Sequence, residues 1–206
     1  MEVYFVRHGN TDGNVAHRHQ HLDTELNERG KAQAKAVALV IKKLRPAYLI
    51  TSTMVRAMQT ARAIGNECKL IPETYPAFEE LRRPRVLDGE LMLGKVTLLY
   101  VVRWFFGSKG ASMHDGESYT DFKRRLSASK RHLEALPPQT KVVVVSHGLF
   151  INFFVAHACN AGRLTLPQAA MLFIKIILLK NTSITHLHFS RTAAKKGFGW
   201  TLVKKL

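Results

Sequence analysis

Two histidines that are each followed by glycine are the first residues of this chain to suggest chemistry. His8 follows Arg7 after an apolar segment, and His147 follows the β-branched run 142–145. A neutral imidazole serves as a nucleophile or a proton carrier, and an arginine beside it binds two oxygens of an oxyanion at once. Arg7, His8 and His147 are therefore candidates for one site, provided that their segments are neighbours.

Five runs along the chain have the spacing of known motifs. They are RHGNTDGN at 7–14, LNERGKAQA at 26–34, STMVRAMQTA at 52–61, FEELRRP at 78–84 and SHG at 146–148. Together they resemble the histidine phosphatase superfamily, the phosphoglycerate-mutase-like group with the RHG motif. Its members share RHGxTxxN, LxxxGxxQA, SxxxRAxQTA, an acidic catalytic loop and a late HG in this order. With the strand pattern, the resemblance covers most of the chain.

The resemblance implies how a phosphoryl group would be held. Six residues are expected to bind it or to line its pocket: Arg7, Thr11, Asn14, Arg56, His147 and Gly148. Phosphoryl transfer depends on positioning and on neutralising the charge spread over the equatorial oxygens. Guanidiniums suit this task, since they are planar, permanently charged and able to grip two oxygens.

His8 is implied to be the nucleophile, which forms a phosphohistidine and divides one displacement into two easier ones. It must be neutral to attack. Neighbouring arginines disfavour the imidazolium form, and a backbone carbonyl would hold the proton of the other ring nitrogen. We therefore expect His8 to be held neutral with one nitrogen free.

The acidic segment 78–84 is expected to supply the proton for the leaving group. Glu80 is assigned this role, because its placement before Arg82, Arg83 and Pro84 best matches the acidic loop of the family. Glu79 is the alternative. Both carboxylates have a second interpretation as charges that offset the arginines on a loop.

The elements that must position these residues alternate along the chain. Apolar runs predict strands at 2–6, 48–51 and 142–145, and helical periodicity predicts helices at 27–44, 53–64, 118–136 and 150–158. A strand at 183–189 with an antiparallel partner at 200–203 follows. This pattern predicts a three-layer α/β/α fold with a mainly parallel central sheet. His8 and His147 would then end neighbouring strands, where open α/β sheets bind ligands.

One histidine phosphatase domain is expected over 1–206, with a variable substrate-covering segment at about 84–116. Within it, 91–106 is rich in large apolar residues, including Tyr100 and Trp104. A substrate cover and an ordinary core helix are both consistent with this run. A membrane-surface helix or a homodimer face are further interpretations, because the apolar positions exceed one stripe.

The composition is that of a globular chain of 206 residues, 46% of them hydrophobic. Cys68 and Cys159 are expected to be free thiols, and no signal peptide follows Met1, so a cytoplasmic location is predicted. The apolar stretches 91–106 and 171–179 are interrupted by basic residues. Neither therefore supplies about 20 uninterrupted apolar residues, and no transmembrane segment is predicted.

The formal net charge is +16, from 31 Lys and Arg against 15 Asp and Glu. Such an excess attracts anionic partners, and a small phosphorylated substrate is the expected one. The basic residues lie in scattered knots without interleaved aromatic residues, so nucleic-acid binding is not expected as the main role.

His17, His19 and His21 form an HxHxH run, a spacing that can bind zinc. No cysteine or carboxylate lies at a metal-site distance along the sequence, so a pocket rim or plain surface is favoured. No metal and no cofactor are expected.

These observations predict a phosphomonoesterase of the histidine acid phosphatase type that acts without a metal through phospho-His8. A phosphoglycerate mutase, which shares the site, is the less favoured enzyme. A catalytically idle protein that binds phosphorylated or nucleic-acid ligands is the alternative from another class. The substrate is not specified by the motifs, since these hold the phosphoryl group and not the leaving group.

Overall fold

The structure, a computed structural model, describes residues 1–92, 94–106, 115–159, 171–172, 180–195 and 199–205. In these ranges six strands form one sheet: β1 (Glu2–Arg7), β2 (Tyr48–Thr51), β3 (Glu73–Thr74), β4 (Lys141–Ser146), β5 (Ile184–Phe189) and β6 (Trp200–Lys205). The α-helices described there are α1 (Asp12–Val15), α2 (Glu28–Leu44), α3 (Val55–Cys68), α4 (Lys95–Phe106), α5 (Tyr119–Ala135), α6 (Gly148–Cys159) and α7 (Arg191–Ala194).

The strand order is β3-β2-β4-β1-β5-β6. Strands β1 to β4 are parallel to one another, whereas β5 runs antiparallel to β1 and to β6. The predicted mainly parallel sheet and the antiparallel pair at the end of the chain are confirmed. In the register of β1 with β4, Arg7 lies opposite Ser146. The residues that follow these two strands therefore leave the sheet side by side.

Each central strand is buried on both faces, and its side chains divide between two cores. Val3 and Phe5 of β1 belong to one core, and Tyr4 and Val6 belong to the other. This division follows from the two-residue repeat of a strand, which sends successive side chains to opposite faces. Unbroken apolar runs such as Val142 to Val145 are thus explained by helices on both sides of the sheet.

Helices α2 and α3 cover one face through small and branched residues: Val37, Ala38, Ile41, Ala57, Ala61 and Ile64. Helices α5 and α6 cover the other face through larger residues: Phe122, Leu126, Leu133, Phe150, Phe153 and Phe154. The predicted three-layer α/β/α arrangement is confirmed. The aromatic side chains of α5 and α6 belong to the same core as the side chains of β1 and β4, the strands that precede the two histidines.

Local sequence explains where the site-bearing helices start and end. Asn27 caps α2 by accepting a hydrogen bond from the N–H of Gly30 at 2.9 Å, and Arg45 ends this helix in the left-handed conformation just before Pro46. Helix α3 begins at Val55 instead of the predicted residue 53, since Met54 is still extended as the N-cap residue, with its N–H donating to Oγ of Ser52 at 3.2 Å. Helix α6 begins at Gly148, directly after His147, and not at the predicted residue 150.

Candidate active site

The two histidines meet at the carboxyl edge of the sheet. His8 follows β1 and His147 follows β4, and their ring centroids are 5.1 Å apart. His8 is 3% exposed and His147 is fully buried. The predicted juxtaposition of the two residues is thus present, and it results from the parallel pairing of their strands.

The ring of His8 is held in one orientation by its own neighbour. Its Nδ1 lies 2.7 Å from the carbonyl oxygen of Gly9. Since a carbonyl only accepts, Nδ1 carries the proton and Nε2 of the neutral ring keeps its lone pair. Burial holds the pKa of His8 well below its ordinary value, and the charges of Arg56 and Arg7 lower it further. The ring is therefore neutral, with one nitrogen able to attack an electrophile.

Arg7 and Arg56 bring two buried positive charges to the same place. Arg56, in the first turn of α3, donates from Nη1 to the carbonyl of His21 at 3.0 Å, and its Nη2 lies 3.0 Å from the sulfur of Met54. Burial lowers the pKa of Arg56 to about 10, while the charge of Glu80 raises it. Burial also lowers the pKa of Arg7. Buried cations need anionic partners, so this arrangement fits an anionic ligand.

Glu80 is the carboxylate that faces these arginines, and it raises the pKa of both. Its oxygens accept backbone hydrogen bonds from Phe150 at 2.9 Å and Leu149 at 3.2 Å, in the first turn of α6. A helix N-terminus has free N–H groups and a positive dipole end, and so it positions a carboxylate well.

Glu79 lies differently from Glu80. One of its carboxylate oxygens accepts a hydrogen bond from the Thr53 hydroxyl, and the other lies 2.8 Å from Nε of Arg82. Only Glu80 of the pair is buried. The loop conformation therefore turns the two adjacent carboxylates towards different partners.

His147 is held in position by Ser52, a residue that was not predicted to be part of the site. Its Nε2 lies 2.8 Å from Oγ of Ser52, and within the described ranges its buried Nδ1 has no hydrogen-bond partner. Burial lowers the pKa of His147 well below its ordinary value, and the charge of Arg56 contributes next. His147 is therefore a neutral ring with one nitrogen free for a ligand.

The other expected pocket residues lie around this centre. Thr11 caps α1 by accepting from the N–H of Asn14 at 3.2 Å. Gly148 lies against Arg7, since a Cβ placed on it would be 3.3 Å from the guanidinium Nε. Asn14 uses its side-chain oxygen to accept a hydrogen bond from Asn181 at 3.0 Å. Thr11 and Asn14 thus lie next to the loop that carries His8, and Gly148 lies next to Arg7.

Asn181 is a residue of this site that the sequence reasoning missed. Its side-chain nitrogen lies 3.0 Å from the carbonyl of His8 and 3.2 Å from that of Gly9, so it braces the loop after β1. Because β5 runs antiparallel to β1, the residues before β5 lie at the carboxyl edge of β1. The predicted strand at 183–189 was the available signal, but only its direction and neighbour in the sheet would have revealed this placement.

The HxHxH run does not form one surface. His17 and His21 are exposed, as expected for a rim or surface, but His19 is buried. A plain surface position is wrong for His19, because its Nε2 lies 3.0 Å from Thr97 Oγ1 of α4 and the backbone of 17–19 bonds to that of 89–92. In the part of the chain that is described, no group of three His, Cys, Asp or Glu side chains could hold a metal ion.

Helix α4 lies in the middle of the segment expected to cover the substrate. One face, with Thr97, Tyr100 and Trp104, is buried, and Trp104 packs in the same core as α5 and α6. The opposite face exposes Leu98 and Leu99. The core interpretation thus holds for one face, and the homodimer remains a prediction.

Residues 107–114, also in this segment, lie outside the described ranges. Among the described residues, no helix is long and apolar enough to cross a membrane.

Comparisons with known proteins agree with this geometry. The family model of the histidine phosphatase superfamily (branch 1) matches residues 3–196. The probable phosphoglycerate mutase GpmB of Yersinia pestis is 34% identical over 157 residues, which cover 74% of this chain and 72% of that relative. A mycobacterial glucosyl-3-phosphoglycerate phosphatase, solved with VO3, has a TM-score of 0.71 at 28% identity and covers 98% of this chain, with 96% of its own chain covered.

A layered α/β fold with paired histidines at neighbouring strand ends defines the class of protein. The chain belongs to the histidine phosphatase superfamily, branch 1. Both kinds of activity in this superfamily, phosphatase and mutase, occur among the names of its relatives. A second solved structure, mycobacterial hydrolase 1, has a TM-score of 0.73 at 27% identity, with 98% of this chain and 97% of that chain covered.

Proposed function

We propose that this protein hydrolyses phosphomonoesters through a covalent phosphohistidine on His8. The observation that carries the proposal is the Nδ1 contact of His8 with the Gly9 carbonyl at 2.7 Å, which leaves Nε2 free on a ring whose pKa is lowered by burial and by the charges of Arg56 and Arg7. A neutral, oriented imidazole beside fixed positive charge is what nucleophilic attack on a phosphate ester requires.

In the first step, the Nε2 lone pair of His8 forms a bond to phosphorus. The bond from phosphorus to the leaving oxygen breaks, its electron pair stays on that oxygen, and the carboxyl group of Glu80 supplies a proton. Arg7, Arg56 and the free Nδ1 of His147 bind the phosphoryl oxygens. Thr11, Asn14 and Gly148 shape the pocket edge.

In the second step, a water molecule attacks the phosphorus of phospho-His8. Glu80, now a carboxylate, takes a proton from this water, the bond from phosphorus to Nε2 breaks, and inorganic phosphate leaves. The proton balance of the cycle is closed, because Glu80, which is protonated when the substrate is bound, gives its proton to the leaving oxygen and takes one back from the water. Two guanidiniums supply the positive charge for both steps, and we therefore propose that no divalent metal takes part.

The test is to trap the intermediate by rapid quench with a phosphate-labelled substrate. We expect an acid-labile, base-stable phosphate on the peptide that contains His8, and no label in His8→Ala. Label on another residue, or wild-type turnover in His8→Ala, would show that the mechanism is wrong. Absence of turnover on a broad panel of monoesters would favour the idle ligand-binding alternative.

Phosphoglycerate mutase activity is the second candidate function, favoured by the name of the relative from Yersinia pestis. Glycolytic mutases follow their acidic residue with a tyrosine-glycine and an asparagine-lysine pattern, whereas residues 82–89 here read RRPRVLDG. A mutase must also shield its phosphoenzyme from water. Supplying 3-phosphoglycerate with catalytic 2,3-bisphosphoglycerate separates the two, since isomerisation that far outpaces phosphate release would establish the mutase.

A further inference from the structure

Three polar side chains beside the candidate active site lack the partners that buried polar groups usually have. Among the described residues, neither the hydroxyl of Tyr100 nor Nδ1 of His19 has a hydrogen-bond partner, although both atoms are buried. In the same ranges Arg83, which is half-buried, forms no ion pair. Buried polar atoms are nearly always satisfied, so this cluster fits a ligand that completes it.

Contacts on α4 place two of these groups together. Nε2 of His19 lies 3.0 Å from Oγ1 of Thr97. Tyr100 is one helical turn beyond Thr97, and both are buried, at 3% and 7% exposure respectively. Side chains three residues apart share one face of a helix. The ring of His19 and the hydroxyl of Tyr100 therefore lie along the same buried face of α4.

The cluster adjoins the residues proposed to hold the phosphoryl group. Arg56 donates to the carbonyl of His21, two residues beyond His19, at 3.0 Å. Arg83 lies three residues beyond Glu80. Burial is the main cause of the lowered pKa of Arg56 and of His19, and the charge of Arg83 contributes to both. The guanidinium of Arg83 is thus within electrostatic range of the phosphoryl site and of the buried face of α4.

The two neighbouring arginines serve as a contrast. Nε of Arg82 lies 2.8 Å from a carboxylate oxygen of Glu79, and Nε of Arg85 lies 3.7 Å from one of Asp115. The Arg85 side chain is 86% exposed. Of the three basic residues in this loop, Arg83 alone is free of a carboxylate within the described ranges.

The hydrogen-bonding capacity of the cluster defines what it would bind. The Thr97 hydroxyl donates to the carbonyl of Leu91 at 2.7 Å, so its oxygen accepts from Nε2–H of His19. Nδ1 of His19 is then an acceptor, while Tyr100 and Arg83 are donors. A cation and a hydroxyl donor suit an oxyanion, and the imidazole acceptor suits an adjacent hydroxyl group.

We propose that Arg83, Tyr100 and His19 form a leaving-group subsite that selects phosphomonoesters whose alcohol carries a second anionic group. The proposal rests on the proposed function, since it assigns the alcohol side of the same site. The second anion is a carboxylate or a second phosphate, which present the same oxygens to a guanidinium. Esters with an uncharged alcohol would bind through the phosphoryl group alone.

The experiment measures kcat/KM on pairs of substrates that differ in this one group. The carboxylate pair is 3-phosphoglycerate against glycerol 3-phosphate, and the bisphosphate pair is fructose 1,6-bisphosphate against fructose 6-phosphate. We expect the wild type to prefer the charged member of at least one pair by about 10- to 100-fold, the range of one charge-assisted hydrogen bond. Arg83→Gln and Tyr100→Phe should each reduce this preference, by lowering kcat/KM on the charged member of a pair more than on the uncharged one.

Arg85→Gln is the matched control, because it removes an exposed arginine of the same loop, and it should keep the preference. An equal loss on both members of each pair in Arg83→Gln, or no preference in the wild type, would overturn the subsite. If the wild type hydrolyses nothing, the proposed function fails separately. In that case the binding of 3-phosphoglycerate is measured by calorimetry. The subsite is supported only if Arg83→Gln weakens this binding and Arg85→Gln does not.

Discussion

Nε2 of His147 lies 2.8 Å from Oγ of Ser52, and both side chains are fully buried. The Ser52 oxygen also accepts a hydrogen bond from the N–H of Met54 at 3.2 Å. With this N–H as its donor, the hydroxyl can give its own proton to Nε2 of His147. The proton of the neutral imidazole then resides on Nδ1, the nitrogen that is free for a phosphoryl oxygen.

Replacing Ser52 with alanine should therefore remove the preference of His147 for the tautomer that carries its proton on Nδ1. We expect Ser52→Ala to lower kcat by about 100-fold, the lower end of the effect of losing one donor to the phosphoryl group. Nitrogen-15 NMR of His147 reads the tautomer directly, and the proton should shift from Nδ1 towards Nε2. Ser146→Ala is the control, because its buried hydroxyl donates to the Phe78 carbonyl. Unchanged nitrogen shifts in Ser52→Ala would refute this role.

The protonation of His8 should depend on Arg56. Burial, then Arg56 and Arg7, hold the pKa of His8 well below its ordinary value of 6.5. The neutral ring therefore persists as pH falls through 6.5 and is lost only as pH falls through the lowered pKa. Arg56→Gln removes one cation, so an NMR titration should show the pKa of His8 rise. Arg62→Gln, on the exposed side of α3, should leave it unchanged. A wild-type His8 that titrates near 6.5 would contradict the prediction.

Loss of the Glu80 carboxyl group should matter most for poor leaving groups. We expect Glu80→Gln to lower hydrolysis of an alkyl phosphate by about 100-fold or more, the usual contribution of a general acid. Hydrolysis of p-nitrophenyl phosphate should fall far less, because its phenolate leaves with little help. Glu79→Gln is the matched comparison, since Glu79 bonds to Thr53 and Arg82. A stronger selective loss in Glu79→Gln would transfer the role to that residue.

Gly30 should tolerate no side chain, because α2 starts in contact with the loop that carries His8. A Cβ on Gly30 would lie 2.0 Å from the carbonyl oxygen of Asn10, and a Cβ on Gly9 would lie 2.5 Å from that of Gly30. Gly30→Ala must move one backbone segment, so we expect the free energy of unfolding to fall by about 1–3 kcal/mol, with reduced turnover. Chemical denaturation measures the first effect. Lys31→Ala, which removes an exposed ion pair, should leave the free energy of unfolding nearly unchanged.

Activity should survive an excess of chelator, because guanidiniums supply the positive charge that a metal gives other phosphoryl-transfer enzymes. The measurement is turnover before and after dialysis against EDTA. His21→Ala should behave as the wild type in both conditions, since its side chain is exposed. Loss of turnover on chelation, restored by zinc, would instead make the HxHxH run a metal site.

Much of the fold and of the site follows from local patterns in the sequence. The run Val142 to Val145 is typical of a strand buried on both faces, and the alternation of such runs with amphipathic helices predicts a layered α/β fold. His8 and His147 were identifiable because each follows such a strand. Parallel strands end at one edge, and this places the two residues together.

Other relationships depend on contacts between distant segments, which no local pattern encodes. Asn181 reaches His8 only because β5 lies antiparallel beside β1, and Ser52 reaches His147 because β2 pairs with β4. Burial of His19 follows from the docking of α4, whose Thr97 satisfies its Nε2. Side-chain chemistry and strand periodicity are properties of the chain itself. The partner of each polar atom is decided only when the sheet and its covering helices exclude water.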